Sequence, residues 1–125
     1  MYHSGKIPDE IDFEIGSGTI VDRKRLKAKT NEAIVHCTSQ YAPHASEIFK
    51  VSAEQWHIFT LVLTENNNRY LVRWYINKVL VKTLQTKIST SHQFSVQNSL
   101  ENLPFIGEQL PAKKNYVMFD SFTFQ

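Results

Sequence analysis

Three acidic residues alternate with two apolar ones in the segment Glu10-Ile11-Asp12-Phe13-Glu14. Successive side chains of a strand point to opposite faces, so this segment predicts three carboxyl groups on one face and two apolar anchors on the other. The Cα atoms of Glu10 and Glu14 would lie roughly 13 Å apart, at about 3.3 Å per residue. If both side chains lean inward, their carboxyl groups reach a separation of about 5–5.5 Å, which suits cleavage of a glycosidic bond with retention of configuration. Asp12 between them adds a like charge, which raises the pKa of a neighbouring acid.

The same five residues also fit a solvent-facing strand whose polar side happens to be acidic. Three like charges on one strand cost stability, and the motif becomes specific only through its surroundings.

Those surroundings predict an all-β chain. Alternating polarity and β-rich composition recur between turn residues and indicate about seven strands and no helix, at residues 9–15, 33–37, 56–64, 70–76, 79–84, 94–100 and 116–124. The asparagines at 66–68 and the pair Asn77-Lys78 predict tight hairpin turns, because Asn tolerates left-handed backbone angles. Strands at this spacing are typical of an antiparallel sandwich or jelly roll.

Composition limits the function classes. The chain has 125 residues, of which 42% are apolar and 21% charged, which predicts one globular domain over residues 1–125. A net charge of +2 gives no support for a nucleic-acid partner. The longest nearly apolar stretch, residues 56–64, is about half the ~20 residues of a membrane helix, and residues 1–6 do not resemble a secretory signal. One cysteine, Cys37, and no suitably spaced histidine pair predict neither a disulfide framework nor a metal centre.

Several segments together resemble glycoside hydrolase family 16, β-jelly-roll enzymes of the concanavalin-like type that cleave β-glucans and related polysaccharides. The resemblance runs in order from residue 9 to the end of the chain. It is carried by Asp9-Glu10-Ile11-Asp12-Phe13-Glu14, Trp56-His57-Ile58-Phe59, Trp74-Tyr75-Ile76-Asn77-Lys78, Gln97-Asn98 and Tyr116-Val117-Met118-Phe119-Asp120.

The resemblance implies a retaining endo-glycosidase that acts on a β-linked glucan or galactan without a cofactor. By position, Glu10 matches the nucleophile, Glu14 the general acid/base and Asp12 the carboxylate that tunes both. It also implies an extracellular or periplasmic protein, although the compartment is left open by the residues themselves.

Three further residues are candidates for binding the polysaccharide. Asn98 matches a family position that faces the cleft, and His36 lies in a segment similar to a strand that sends a histidine toward it. Trp74 could stack on a sugar ring, and its alternative is a core position. The alternative for His36 is a structural histidine. A basic run at residues 23–29 reads either as a solvated surface or as a contact for an anionic polysaccharide or nucleic acid.

The chain also departs from the family. Its members carry a long N-terminal half before the catalytic strand, whereas only residues 1–8 precede that strand here. The expectation is therefore an incomplete sandwich that is a fragment, pairs with a second copy through its exposed sheet edges, or forms a smaller sandwich. Two other functions stay open: a non-catalytic carbohydrate-binding or truncated glucanase relative, and a β-sandwich interaction protein with no sugar ligand.

Overall fold

Six strands and one short helix make up the part of the chain that the computed structural model describes, residues 9–99, 118–120 and 123. All strand pairs are antiparallel, and they form two three-stranded sheets in the orders β1-β2-β3 and β4-β5-β6. The predicted all-β antiparallel sandwich is confirmed. In chain order the elements are β1 (Ile11–Gly16), α1 (Ile20–Leu26), β2 (Glu32–Ser39), β3 (Ala45–Ser52), β4 (Phe59–Asn66), β5 (Arg69–Ile76) and β6 (Val79–Ser89).

Two tight turns connect the strands of the second sheet. Asn67 and Asn68 have φ angles of 53° and 56°, and Asn77 and Lys78 have φ angles of 51° and 69°. Two consecutive residues with positive φ form the turn whose twist matches that of the flanking strands. Both predicted hairpins are confirmed, and they fix the register of β4, β5 and β6.

The core lies between the two sheets and consists of side chains from both. Phe13 of the first sheet packs against Phe59 of the second, with ring centroids 5.1 Å apart. This packing explains why one face of each strand is apolar and the other polar. The buried residues of the core cluster are Ile11, Val35, Cys37, Val72, Trp74, Ile76 and Ile88.

Two polar side chains link the sheets through this core. The indole Nε1 of Trp74 donates a hydrogen bond of 2.9 Å to the backbone oxygen of Asp12. Lys82 is 5% exposed, and its Nζ donates to the backbone oxygens of Cys37 at 2.7 Å and Ala45 at 2.8 Å. The same Nζ lies 4.8 Å from the ring centroid of Trp74, and burial lowers the pKa of the amine. β1 and β2 are thus held from the core side by hydrogen bonds as well as by apolar contact.

The prediction of no helix was wrong. Helix α1 follows β1 directly, and Thr19 begins it with a capping box in which Thr19 and Asp22 satisfy each other's backbone N–H groups. Gly18 before it has a φ of +76°, and a Cβ atom there would lie 2.1 Å from Cγ1 of Ile34. A glycine is therefore required where the chain turns back over β2.

Three strand predictions also differ from the structure. β3 was not predicted, because the break at Tyr41-Ala42-Pro43 hid the mixed strand that follows it. The fourth strand begins at Phe59, which leaves Trp56 outside it and 65% exposed. Residues 94–99 form no extended strand apart from an isolated bridge at Ser95. Most of the strand predicted at 116–124 lies outside the described residues. Within the described part of the chain, no helix combines the length and apolar character needed to cross a bilayer.

Candidate active site

Strand β1 and Glu10, the bridge residue directly before it, present three carboxyl groups on one face. Ile11 is fully buried and Phe13 packs against the core, so these two side chains occupy the inner face of the strand. Glu10, Asp12 and Glu14 share the opposite face, and the charges of both glutamates act on Asp12. The arrangement is the one that the alternation predicts.

Both glutamates lean toward Asp12. On one side, Asp12 shares a side-chain hydrogen bond with Glu10. On the other side, Oγ1 of Thr38 donates to Oε2 of Glu14 at 3.2 Å, and Thr38 is the residue directly opposite Asp12 in the β1–β2 register. Because Glu14 reaches Thr38, the cross-strand partner of Asp12, the side chain of Glu14 is tilted along β1 toward Asp12. The two outer carboxyl groups therefore converge from Cα positions roughly 13 Å apart.

The pKa of Asp12 is raised far above its ordinary value. Burial raises its pKa to about 8, and the negative charges of Glu14 and Glu10 contribute to the same shift. Its Oδ1 is shielded from solvent and has no hydrogen-bond partner among the described residues. A protonated Asp12 can donate a hydrogen bond to Glu10, and the carboxyl group between the two glutamates then carries no negative charge.

The pKa of Glu14 is also raised above its ordinary value. Burial raises its pKa, whereas the hydroxyl of Thr38 and the nearby imidazoles of His36 and His44 act in the opposite direction. A general acid that works near neutral pH needs such a balance, because it must release its proton and take it back.

A pocket of about 310 Å³ opens beside Glu14 on the outer face of the first sheet. This volume is at the lower end of the range for small-molecule sites. Its walls are hydroxyl, amide and imidazole groups, and Oγ1 of Thr38 lies 3.1 Å from Oγ of Ser46. The pocket can therefore bind a ligand rich in hydroxyl groups through hydrogen bonds. It is lined by Glu14, His36, Thr38, Gln40, His44 and Ser46.

Helix α1 places one further carboxylate next to this pocket. Oδ2 of Asp22 accepts a hydrogen bond of 2.6 Å from Oγ1 of Thr19 and lies 3.9 Å from Nε2 of His36. His36 is directly opposite Glu14 in the β1–β2 register. An imidazole thus lies between the carboxylate of the helix and that of the strand.

The three residues predicted to bind the polysaccharide lie in different parts of the structure. His36 lines the pocket, but Trp74 is fully buried in the core and has no free face on which a sugar could stack. Asn98 is exposed in the segment after β6 and is not part of the pocket lining. Of the three predicted binding residues, the structure brings only His36 next to the carboxyl groups.

Sequence reasoning missed most of the pocket. Thr38 shares the outer face of β2 with His36, and Gln40 directly follows the strand. The period of two along β2, continued by one residue, could have identified both. Ser46 and His44 could not be placed without β3. Asp22 carried a readable signal, since a threonine three residues before an acid is a capping box.

Metal ligands were not found among the described residues, where no group of three or more His, Cys, Asp and Glu side chains is arranged to hold an ion. Comparison with protein-family models, with curated proteins and with solved structures gives no match. The resemblance to glycoside hydrolase family 16 therefore stays a prediction, and the function is argued from the geometry of the site.

Proposed function

We propose that this protein is a retaining endo-glycosidase that acts on a β-linked polysaccharide, a β-glucan or galactan. The observation that carries the proposal is that Glu10 is hydrogen-bonded to Asp12 and that Glu14 reaches Thr38, the cross-strand partner of Asp12, from the other side. Two converging carboxyl groups, one of them with a raised pKa, are the groups that double-displacement hydrolysis requires.

In the first step, the carboxylate of Glu10 attacks the anomeric carbon of the sugar, and a glycosyl ester forms as the glycosidic C–O bond breaks. The proton of Glu14 goes to the departing sugar oxygen, so the leaving group departs as a neutral alcohol. Asp12 stabilises the carboxylate of Glu10 through their hydrogen bond before the attack.

In the second step, Glu14 takes a proton from a water molecule whose oxygen attacks the same carbon. The ester bond to Glu10 breaks, and Glu10 leaves as a carboxylate. Each attack inverts the anomeric centre, so the product retains the configuration of the substrate.

The pocket favours one alternative function, a non-catalytic carbohydrate-binding module. Its volume of about 310 Å³ suits a small ligand such as one sugar residue, whereas cleavage of a polysaccharide needs binding groups on both sides of the scissile bond. Turnover distinguishes the two functions.

The experiment that tests the proposal measures reducing ends released by the purified protein from laminarin, lichenan, xyloglucan and agarose. We expect Glu10→Gln and Glu14→Gln to lower kcat/KM by about 10³-fold or more on the substrate that is cleaved. Glu65→Gln is the matched control, because Glu65 is an exposed glutamate of the β4–β5 hairpin. Turnover that survives Glu10→Gln would exclude Glu10 as nucleophile, and binding without turnover in the wild type would favour the module.

A second experiment uses azide as an external nucleophile to test the roles of Glu10 as nucleophile and Glu14 as acid/base separately. With an oligosaccharide that carries an activated aryl leaving group, Glu10→Ala and azide should form the α-glycosyl azide, because azide replaces the missing nucleophile. Glu14→Ala should instead form the β-glycosyl azide, because azide then attacks the ester on Glu10. The opposite assignment of anomers would exchange the two roles.

Pairing of two copies through sheet edges also stays a proposal. β3 and β6 each end a sheet in the described topology, and an unpaired strand offers its backbone groups to another chain. A mass in solution of twice 14.5 kDa would support a dimer, and a monomer would exclude edge pairing.

A further inference from the structure

Asp22, a member of the capping box of helix α1, places its carboxylate next to His36. Oδ2 of Asp22 accepts from Oγ1 of Thr19 at 2.6 Å, and the backbone N–H of Asp22 donates to the same Oγ1 at 3.1 Å. These bonds hold Oδ2 in place, and the same oxygen lies 3.9 Å from Nε2 of His36. The capping box does not require a histidine, so the pairing with His36 is a separate feature.

His36 is enclosed by ionisable groups from three elements. Asp22 of α1 faces its Nε2, Glu14 of β1 lies opposite it in the register, and His44 of the β2–β3 loop shares the pocket. On β3, its cross-strand partner is the apolar Ile48.

The Nε2 atom of His36 is in an unfavourable position for a neutral imidazole. The side chain is 14% exposed, and within the described part of the chain Nε2 is shielded from solvent without a hydrogen-bond partner. A protonated Nε2 would be attracted to the carboxylate of Asp22, and a movement of about 1 Å would bring the two atoms to hydrogen-bonding distance.

We propose that Asp22 and His36 are a pair of positioning residues for Glu14, in which the carboxylate on helix α1 holds the imidazole of His36 directly across from Glu14 in the β1–β2 register. The catalytic meaning of the pair rests on the proposed function, but the pair itself does not.

The pair offsets the effect of burial on Glu14. Burial favours the protonated acid, and a positive charge beside it favours the carboxylate. Because Glu14 must alternate between the two forms during one turnover, a helix that holds His36 in place also acts on the acid/base.

NMR titration of isotope-labelled glutamate and histidine side chains between pH 4 and pH 9 tests this proposal without substrate. In His36→Gln, the titration midpoint of Glu14 should rise by about half a pH unit, because a neutral side chain replaces the imidazolium. In Asp22→Asn, the ring signals of His36 should change at constant pH, because the imidazole loses the carboxylate at 3.9 Å that holds it.

His44→Gln is the matched control. His44 is exposed, and its Nδ1 is bonded to the backbone oxygen of Gln40 at 2.9 Å, so its removal should move the Glu14 midpoint less than His36→Gln does. An unchanged or lowered Glu14 midpoint in folded His36→Gln would overturn the proposal. If that variant does not fold, unchanged ring signals of His36 in Asp22→Asn overturn it instead.

Activity separates this proposal from the proposed function. If the wild type cleaves a glycan, the basic limb of its kcat/KM profile should move upward in His36→Gln by the same amount as the Glu14 midpoint. If the wild type cleaves none, the NMR midpoints still decide whether the pair exists.

Discussion

Asp12→Asn should stabilise the protein at alkaline pH and leave its stability in acid almost unchanged. In the folded state the pKa of Asp12 is raised to about 8 from an ordinary value of 3.8. Between these two pH values, the folded protein keeps a proton that the unfolded chain has released. Folding therefore takes up a proton in this range, and the stability contributed by Asp12 falls as the pH rises from about 4 to about 8.

The magnitude follows from the size of the shift. About four pKa units at 1.36 kcal/mol each set an upper bound of about 6 kcal/mol on the loss. Asp12 is not fully enclosed, and water that reaches the ionised carboxyl lowers this cost, so we expect about 2–3 kcal/mol. Asparagine has nearly the same shape, cannot ionise, and keeps an N–H donor for Glu10.

Thermal unfolding between pH 4 and pH 9 measures this effect. At pH 8.5 the Tm of Asp12→Asn should exceed that of the wild type by about 8–12 °C, because 1 kcal/mol corresponds to about 4 °C in a domain of this size. At pH 4 the two melting temperatures should agree within about 2 °C. Glu65→Gln, at an exposed hairpin glutamate, should show no such pH-dependent gain.

The reasoning would be refuted by a variant that gains nothing between pH 4 and pH 8.5. A gain of equal size at every pH would also refute it, because it would arise from packing rather than from ionisation.

Three further substitutions test how the core supports the site, each by urea or thermal unfolding. Trp74→Phe should lower the free energy of unfolding by about 2–4 kcal/mol, because a smaller ring replaces the fully buried indole and the hydrogen bond to β1 is lost. Trp56→Phe is the control, because this ring is 65% exposed, and it should change the free energy of unfolding by less than about 0.5 kcal/mol. Lys82→Met should lower the free energy of unfolding by about 1–3 kcal/mol, because two backbone oxygens lose their hydrogen-bond donor. Lys87→Met is the control at an exposed position of the same strand and should leave the free energy of unfolding nearly unchanged. Gly18→Ala should lose about 2–4 kcal/mol, because the new Cβ would meet a β2 side chain at 2.1 Å with φ at +76°. Losses below about 0.5 kcal/mol in any of the three core variants would contradict the contacts described.

The alternation of β1 and the asparagine turns could be predicted because both depend on local geometry. A period of two places Glu10, Asp12 and Glu14 on one face in any strand. Asn67 and Asn77 mark turns because their side chains tolerate positive φ. Neither signal depends on which residues lie across the sandwich.

Other features depend on distant parts of the chain and could not be predicted. A lysine in the middle of β6 suggests a solvent-facing position, yet Lys82 is buried because backbone oxygens of the first sheet accept from its amine. The sequence fits either a core position or a sugar-stacking position for Trp74. The core position is correct, because the ring is fully buried and its indole N–H donates to the backbone oxygen of Asp12. Helix α1 is an exception, since its capping box was local and readable.

The burial of the carboxyl groups argues against an acidic strand face that is merely solvated. A strand whose polar side is merely solvated would expose its acids, because exposure removes the cost of desolvation and weakens their repulsion. Here Asp12 is largely enclosed, its Oδ1 has no hydrogen-bond partner in the part of the chain that the structure describes, and Glu14 is half-buried against Thr38. On the opposite side of β1, Trp74 donates a hydrogen bond to the backbone oxygen of Asp12. The core thus fixes a strand whose other face carries carboxyl groups that are costly to ionise. A cost of this kind is expected where side chains are arranged for chemistry, and solubility alone does not explain it.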